Sequence, residues 1–372
     1  MFFLRRHFRS QLSYYSTSTS TKTKTYDGPS SSTINTQVAN YLINTLQFTK
    51  DSAISSSSKV SSRLFTPQKS DSVLHLLKDN GFNTCQIKHI VTFVPKLLLC
   101  KPHKTLEPKI RVFINLGLST SDVVSLIKRN PYLFELGLDS RIVPMISYLK
   151  MVVGSDEHVV DIINRSRWLF GSSALKMYTA NVMLLQSYGF SNDQIKKYVL
   201  KNTRHFTQQT EWLAVKMNWV ETKLGVSRDS SHFFRCFYSI ASNSISNMEK
   251  KMEVYRRFGF SDTELSMLFK RLPYCFALSE DTIRDKLRFF VNELGYTPSY
   301  LVTCHTLFSL SLEKRVKPRN QVLKILKEKM LVSPNKSLIT LVGYPELRFQ
   351  DYLRQYEDQL PCLYETYVNS IR

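Results

Sequence analysis

Gly259-Phe260-Ser261-Asp262-Thr263-Glu264-Leu265, running on to Leu272-Pro273, decides how this chain folds. A glycine can close a helix by adopting positive φ. Ser261, two residues later, is a helix N-cap type, and Glu264 stands three residues beyond it, so the two form the halves of a capping box. Phe260 is placed to pack across the turn. Leu265, Leu268 and Phe269 then fall on one helical face, and Pro273 ends the run. The stretch predicts one helix ending at Gly259 and a second starting after Ser261.

The same punctuation recurs at Gly81, Gly117, Gly154, Gly189, Gly225, Gly259 and Gly295, in steps of 34 to 37 residues. The chain has only 11 glycines, so seven in one ladder mark a repeat. Two residues after each stand Asn83, Ser119, Asp156, Ser191, Ser227, Ser261 and Thr297, all cap types. Gln86, Asp122, Gln194 and Glu264 can complete capping boxes. Pro95, Pro131 and Pro273 lie 14 residues after their glycines, whereas Trp168, Thr203 and Ser239 occupy that place in the third to fifth units. Each unit is expected to be two helices plus a short returning segment, such as residues 110–116. Gln47-Phe48-Thr49 suggests an eighth, cryptic unit upstream, with residues 55–58 read as a loop because serine is a poor helix former. The expected fold is all-α, an α-solenoid superhelix of about seven to eight units of about 36 residues over residues 38–372. The tetratricopeptide and ankyrin signatures are absent.

Composition agrees with a folded, nucleic-acid-facing body. Of 372 residues, 42% are hydrophobic, and 51 Lys and Arg oppose 30 Asp and Glu. Residues 1–26 carry five bases and no acid, and eight of the ten residues 16–25 are Ser or Thr. Leu4, Phe8, Leu12 and Tyr15 share a helical face. That start reads as an organellar transit peptide over residues 1–33, mitochondrial in preference to chloroplast. Removing residues 1–37 still leaves 46 bases against 29 acids, a net of +17, which favours a polyanionic partner. No run of 18 apolar residues exists, so no membrane partner is expected.

The six cysteines are widely spaced without a CxxC. Cys85 with His89, and Cys100 with His103, lack a second pair at zinc spacing. No metal, no cofactor and no catalytic constellation is expected, and the chain is not read as an enzyme.

The Gly-aromatic-Ser starts, the proline-terminated second helices, Pro108-Lys109-Ile110, Val73-Leu74 before Gly81, and above all Ser311-Leu312-Glu313-Lys314-Arg315-Val316-Lys317-Pro318-Arg319 resemble the mitochondrial transcription termination factor (mTERF) family in its plant-type form. The resemblance covers about residues 38–372. It implies a superhelical array of triangular units with a basic groove for nucleic acid, acting in organellar transcription initiation, termination or RNA processing.

Three sets of cations are candidates for phosphate contact. The first lies 10 to 12 residues after a glycine: Lys128, Arg129, Arg165, Lys201, Arg235, Lys270 and Arg271. The second lies eight or nine residues before one: Lys109, Lys216, Lys250 and Lys286. The third is Lys314, Arg315, Lys317 and Arg319, with Lys324, Lys327 and Lys329 after it. Arginine can fork onto phosphate, and cations in a last helical turn also complement the helix dipole. Phe82, Phe190, Phe260 and Tyr296 are expected in the core, and Trp168, beside Arg165 and Arg167, is a stacking candidate. The reading is an organellar double-stranded DNA-binding regulator of transcription. The alternatives are RNA binding in splicing or rRNA maturation, and a protein-binding helical adaptor. A monomer is expected.

Overall fold

The computed structural model describes residues 35–371, and all regular structure among them is helical, with no strand. The transit peptide expected over residues 1–33 lies outside the described residues. The chain divides into two compact units: residues 35–75 with 83–100, and residues 76–82 with 101–371.

The first unit contains the helices Thr36–Leu46, Lys50–Ser57 and Thr84–Phe93, and most of Pro67–Asp79. The cryptic repeat is present here. Gln47 adopts the left-handed conformation at φ 55° that glycine takes elsewhere, and Thr49 caps the following helix through Ser52 N. Lys88 Nζ, 2.5 Å from Gln47 O, satisfies the carbonyl this turn exposes. Residues 55–57, expected as a loop, are helical. Their hydroxyls bond back along the helix, Ser57 to Ile54 O and Ser58 to Ser55 O. Burial of Ala53, Ser56 and Ser57 holds the turn against their low propensity.

The second unit alternates first helices (Glu107–Asn115, Val143–Val153, Ala174–Ser187, Thr210–Thr222, Ile245–Arg257, Glu280–Leu287, Lys317–Glu328) with shorter second helices (Thr120–Arg129, Asp156–Arg165, Asn192–Lys201, Phe233–Ile240, Asp262–Arg271, Pro298–Thr303). All seven ladder glycines have positive φ, between 59° and 107°. The four capping boxes form as read, at Asn83–Gln86, Ser119–Asp122, Ser191–Gln194 and Ser261–Glu264. At the third glycine the cap is Ser155, one residue earlier than expected, accepting from His158 N. In the fifth repeat Ser227 does not cap, and the helix begins only at Phe233. Residues 110–116, read as a connector, belong to the Glu107–Asn115 first helix and its C-terminal turn. The connectors are instead 3₁₀ turns: Pro95–Leu99 in the first unit, and Pro131–Phe134, Thr203–Thr207, Pro273–Ala277 and His305–Ser309 in the second.

The buried faces are continuous from repeat to repeat. Val123, Leu126 and Ile127, then Val159, Ile162 and Ile163, then Leu265, Leu268 and Phe269 are all 5% exposed or less. Each such side chain contributes about 1.5–3 kcal/mol by leaving water.

A polar device ties each first helix to its connector. Lys109 Nζ donates to Phe134 O (2.5 Å), Lys216 to Ala241 O (2.6 Å) and Asn243 O, Lys251 to Phe276 O (2.6 Å) and Lys286 to Leu310 O. Asn181 Nδ2 does the same for Phe206 O (3.1 Å) and Gln208 O (2.9 Å), and in the first unit Ser70 Oγ reaches Leu98 O (3.2 Å). Tight turns leave carbonyls without intrahelical partners, and an unpaired buried carbonyl costs about 1–3 kcal/mol. In the third repeat the corresponding first-helix positions are the apolar Met145 and Ile146, and there residues 166–173 form bends and turns rather than a 3₁₀ helix.

The second cation ladder is thereby corrected. Lys109, Lys216 and Lys286 are 9% exposed or less and hold backbone carbonyls instead of facing a partner. In the sixth repeat the residue in register is Lys251, while Lys250 next to it is exposed.

Candidate nucleic-acid interface

The second helices of the large unit orient their charge. Asp122 begins Thr120–Arg129 and Lys128 with Arg129 end it; Asp156 and Glu157 begin Asp156–Arg165 and Arg165 ends it; Asp262 and Glu264 begin Asp262–Arg271 and Lys270 with Arg271 end it. Acids at the N-terminus and bases at the C-terminus both stabilise the helix dipole. The cations therefore gather at one end of the second helices. Lys128, Arg129, Arg165, Lys201, Arg235 and Arg271 are exposed there, and Lys270 is half-buried.

Three of these arginines also reach into the next repeat. Arg129 Nη1 donates to Asn164 O (2.7 Å), Arg235 Nη2 to Lys270 O (3.0 Å) and Arg271 Nη1 to Val302 O (3.2 Å). Each bond runs from the end of one second helix to the end of the following one. These ends therefore lie side by side, and the charges form a row. Arg165 pairs with Asp161 in its own helix, both partners being exposed, so solvent screens that pair and leaves it weak.

The third set divides. Lys314 is exposed. Lys317 is half-buried and paired with Glu313 at 2.6 Å. Arg315 donates to Val342 O (3.0 Å) and Tyr344 O (2.5 Å). Burial, with the neighbouring Arg319 charge, moves its pKa below the usual arginine value. Arg319 is fully buried. Its guanidinium donates to Leu341 O (2.8 Å), Tyr344 O (2.7 Å) and Glu346 Oε2 (2.6 Å), and it lies 4.2 Å from the centre of the Phe349 ring. Burial works to raise Glu346, but hydrogen bonds from Tyr367 and Arg319 outweigh it and hold the carboxyl below its usual range. Arg319, read as a phosphate contact, is corrected to the core anchor of the C-terminal segment. It continues the series of Lys109, Lys216, Lys251 and Lys286.

A pattern of rings, of which only Trp168 stood out in the sequence, accompanies the row. Among the described residues, the Phe, Tyr and Trp side chains more than a third exposed are Phe93 (46%), Tyr132 (51%), Trp168 (56%) and Tyr274 (51%). All four lie 12 to 15 residues after a ladder glycine. The signal was present in the sequence: Tyr132 and Tyr274 each directly follow the connector proline. Phe82, Phe190 and Phe260 are buried, and Tyr296 is half-buried.

No group of three or more Cys, His, Asp or Glu side chains among the described residues could hold a metal ion. No helix among them is long and apolar enough to cross a membrane.

The chain is similar to three transcription termination factors. It is 23% identical over 305 residues to the mitochondrial transcription termination factor MTEF18 of Arabidopsis thaliana, covering 74% of this chain and 53% of that protein. It is 24% identical over 223 residues to the mitochondrial transcription termination factor 3 of Drosophila melanogaster, covering 58% and 60%. It is 20% identical over 284 residues to the chloroplastic transcription termination factor MTERF8 of Arabidopsis thaliana, covering 66% and 56%. The chain thus spans between half and three fifths of the length of these relatives. The mTERF family model matches residues 74–183 and 175–350, taking in the glycine ladder, the second-helix cations and the buried lysine series, and on that match the chain belongs to the mTERF family.

Proposed function

We propose that the chain binds organellar nucleic acid through the row of second-helix cations and thereby regulates organellar transcription. The observation that carries this reading is the row itself. One or two exposed cations stand at the same place in successive repeats, and interrepeat bonds from Arg129, Arg235 and Arg271 set neighbouring helix ends together. A row of that kind can follow a phosphate backbone, each contact releasing counterions. A net of +17 on residues 38–372 supplies long-range attraction. The relatives' names, all transcription termination factors of mitochondrion or chloroplast, support the same reading.

Within it, double-stranded DNA is the first target to test and intron or ribosomal RNA the second. The basic, acid-free start of the sequence favours import into an organelle, the mitochondrion before the chloroplast. The test is crosslinking and immunoprecipitation from purified organelles, with bound DNA and RNA sequenced in parallel. A discrete DNA locus supports transcriptional control. An intron or ribosomal RNA segment moves the role to RNA processing. Recovery of proteins without nucleic acid would replace the reading with a protein-binding adaptor.

A further inference from the structure

Exposed large aromatics are the exception in this chain, which holds 23 Phe, 19 Tyr and 3 Trp. In the large unit the three rings more than a third exposed all stand at one repeat position, beside the cation row. Tyr132 follows Lys128 and Arg129, Trp168 follows Arg165 and Arg167, and Tyr274 follows Lys270 and Arg271. The local geometry explains the outward placement of the tyrosines. A 3₁₀ turn has three residues per turn. Pro131, Leu133 and Phe134 are buried in theirs, as are Pro273, Cys275 and Phe276, so the second residue of each turn faces water. Leaving such rings in water forgoes their burial energy at each site. Bare phosphate binding has no use for them.

We propose that this edge stacks unpaired bases, so that its preferred partner is a single-stranded segment of DNA or RNA. The inference rests on the nucleic-acid reading above and specifies the strand state it selects. Cations alternating with flat rings hold a strand by both of its parts. The ammonium and guanidinium groups take phosphates, and the rings take base faces, which a blunt duplex keeps within its own stack. Arg204, exposed at the same position in the fourth repeat, has a planar group that can serve the same end.

The test titrates the full chain with a 15-nucleotide single-stranded DNA, the RNA of the same sequence and the blunt DNA duplex, at one salt concentration. Both single strands should bind more tightly than the duplex, and the tighter of the two identifies the source. Tyr132→Ala, Trp168→Ala and Tyr274→Ala should each weaken single-strand binding about tenfold and leave duplex binding within about twofold. Trp168→Phe should retain most of the affinity. Wild-type fluorescence gives an independent readout without any substitution. Trp168 is the one exposed tryptophan of the three, so single strands should quench emission from a solvent-facing indole and the duplex should not. If the alanine variants bind single strands as the wild type does, while Lys128→Glu weakens every probe, stacking is overturned and the nucleic-acid reading stands. If the duplex binds more tightly than both single strands, stacking is likewise overturned. If no probe binds, both fall.

Discussion

Lys251 Nζ lies 2.6 Å from the carbonyl oxygen of Phe276, twenty-five residues further along the chain. Lys109 with Phe134 and Lys216 with Ala241 repeat the bond at the same separation. Lys251→Met would keep the apolar stem and leave the Phe276 carbonyl buried and unpaired, a cost of about 1–3 kcal/mol. Lys250→Met, one residue away and exposed, should change stability by less than about 0.5 kcal/mol. Urea unfolding of the two variants checks the pair. Equal effects would rule out the clamp.

Arg319 extends the same logic to the C-terminus. Arg319→Met should destabilise the chain by about 3–5 kcal/mol, because Glu346 and the Leu341 and Tyr344 carbonyls lose their common donor. Lys314→Met should leave stability unchanged. Thermal unfolding distinguishes the anchor from the surface cation five residues before it.

The glycine ladder yields a graded prediction. Gly189 has φ 78° with no atom within 4 Å of an added Cβ, so Gly189→Ala costs only backbone strain, about 1 kcal/mol. At Gly81, φ 84°, an added Cβ would come within 2.9 Å of Thr120 Cγ2. Gly81→Ala should therefore cost measurably more. Gly81→Ala in a Thr120→Ser background should recover the difference, a comparison that denaturant midpoints can make.

His205 should make the fold sensitive to acid. Its ring sits 2.7 Å from the Tyr198 hydroxyl and 4.6 Å from the Trp212 ring centre. Burial, with the Lys216 charge nearby, lowers its pKa from 6.5 to about 4. Between pH 6.5 and about 4 the unfolded chain binds a proton that the folded chain refuses, so stability falls as the pH falls through that window. The decrease attributable to this group, reduced for partial solvent access, is about 1–2 kcal/mol. Thermal melts of wild type and His205→Asn across the window should show a shallower decline in the variant.

Much of the fold could be read locally because its signals are local. A cap and its glycine lie within three residues of each other, and four capping boxes follow from side chains alone. Ser155 capping in place of Asp156 was a one-residue ambiguity between two competent caps. Helicity at residues 55–57 was hidden, because tertiary burial there outweighs propensity. The site was harder to read. Lysine looks the same in a sequence whether its amine reaches a carbonyl 25 residues away or reaches water. Only packing separates Lys251 from Lys250, or Arg319 from Lys314. Likewise the outward turn of Tyr132 and Tyr274 depends on which face of a 3₁₀ turn meets the core.

The most direct test of the central claim is the salt dependence of nucleic-acid affinity for the wild type and for a Lys128→Gln, Arg165→Gln, Lys201→Gln variant. Substituting these three leaves in place the interrepeat bonds that Arg129, Arg235 and Arg271 form. On duplex DNA, removing one cation that neutralises a phosphate should make the slope of log affinity against log salt shallower by about 0.9. The predicted result is a folded variant whose slope is shallower by about 3, with weaker binding to every sequence tested. A variant that keeps the wild-type slope and affinity would contradict the claim.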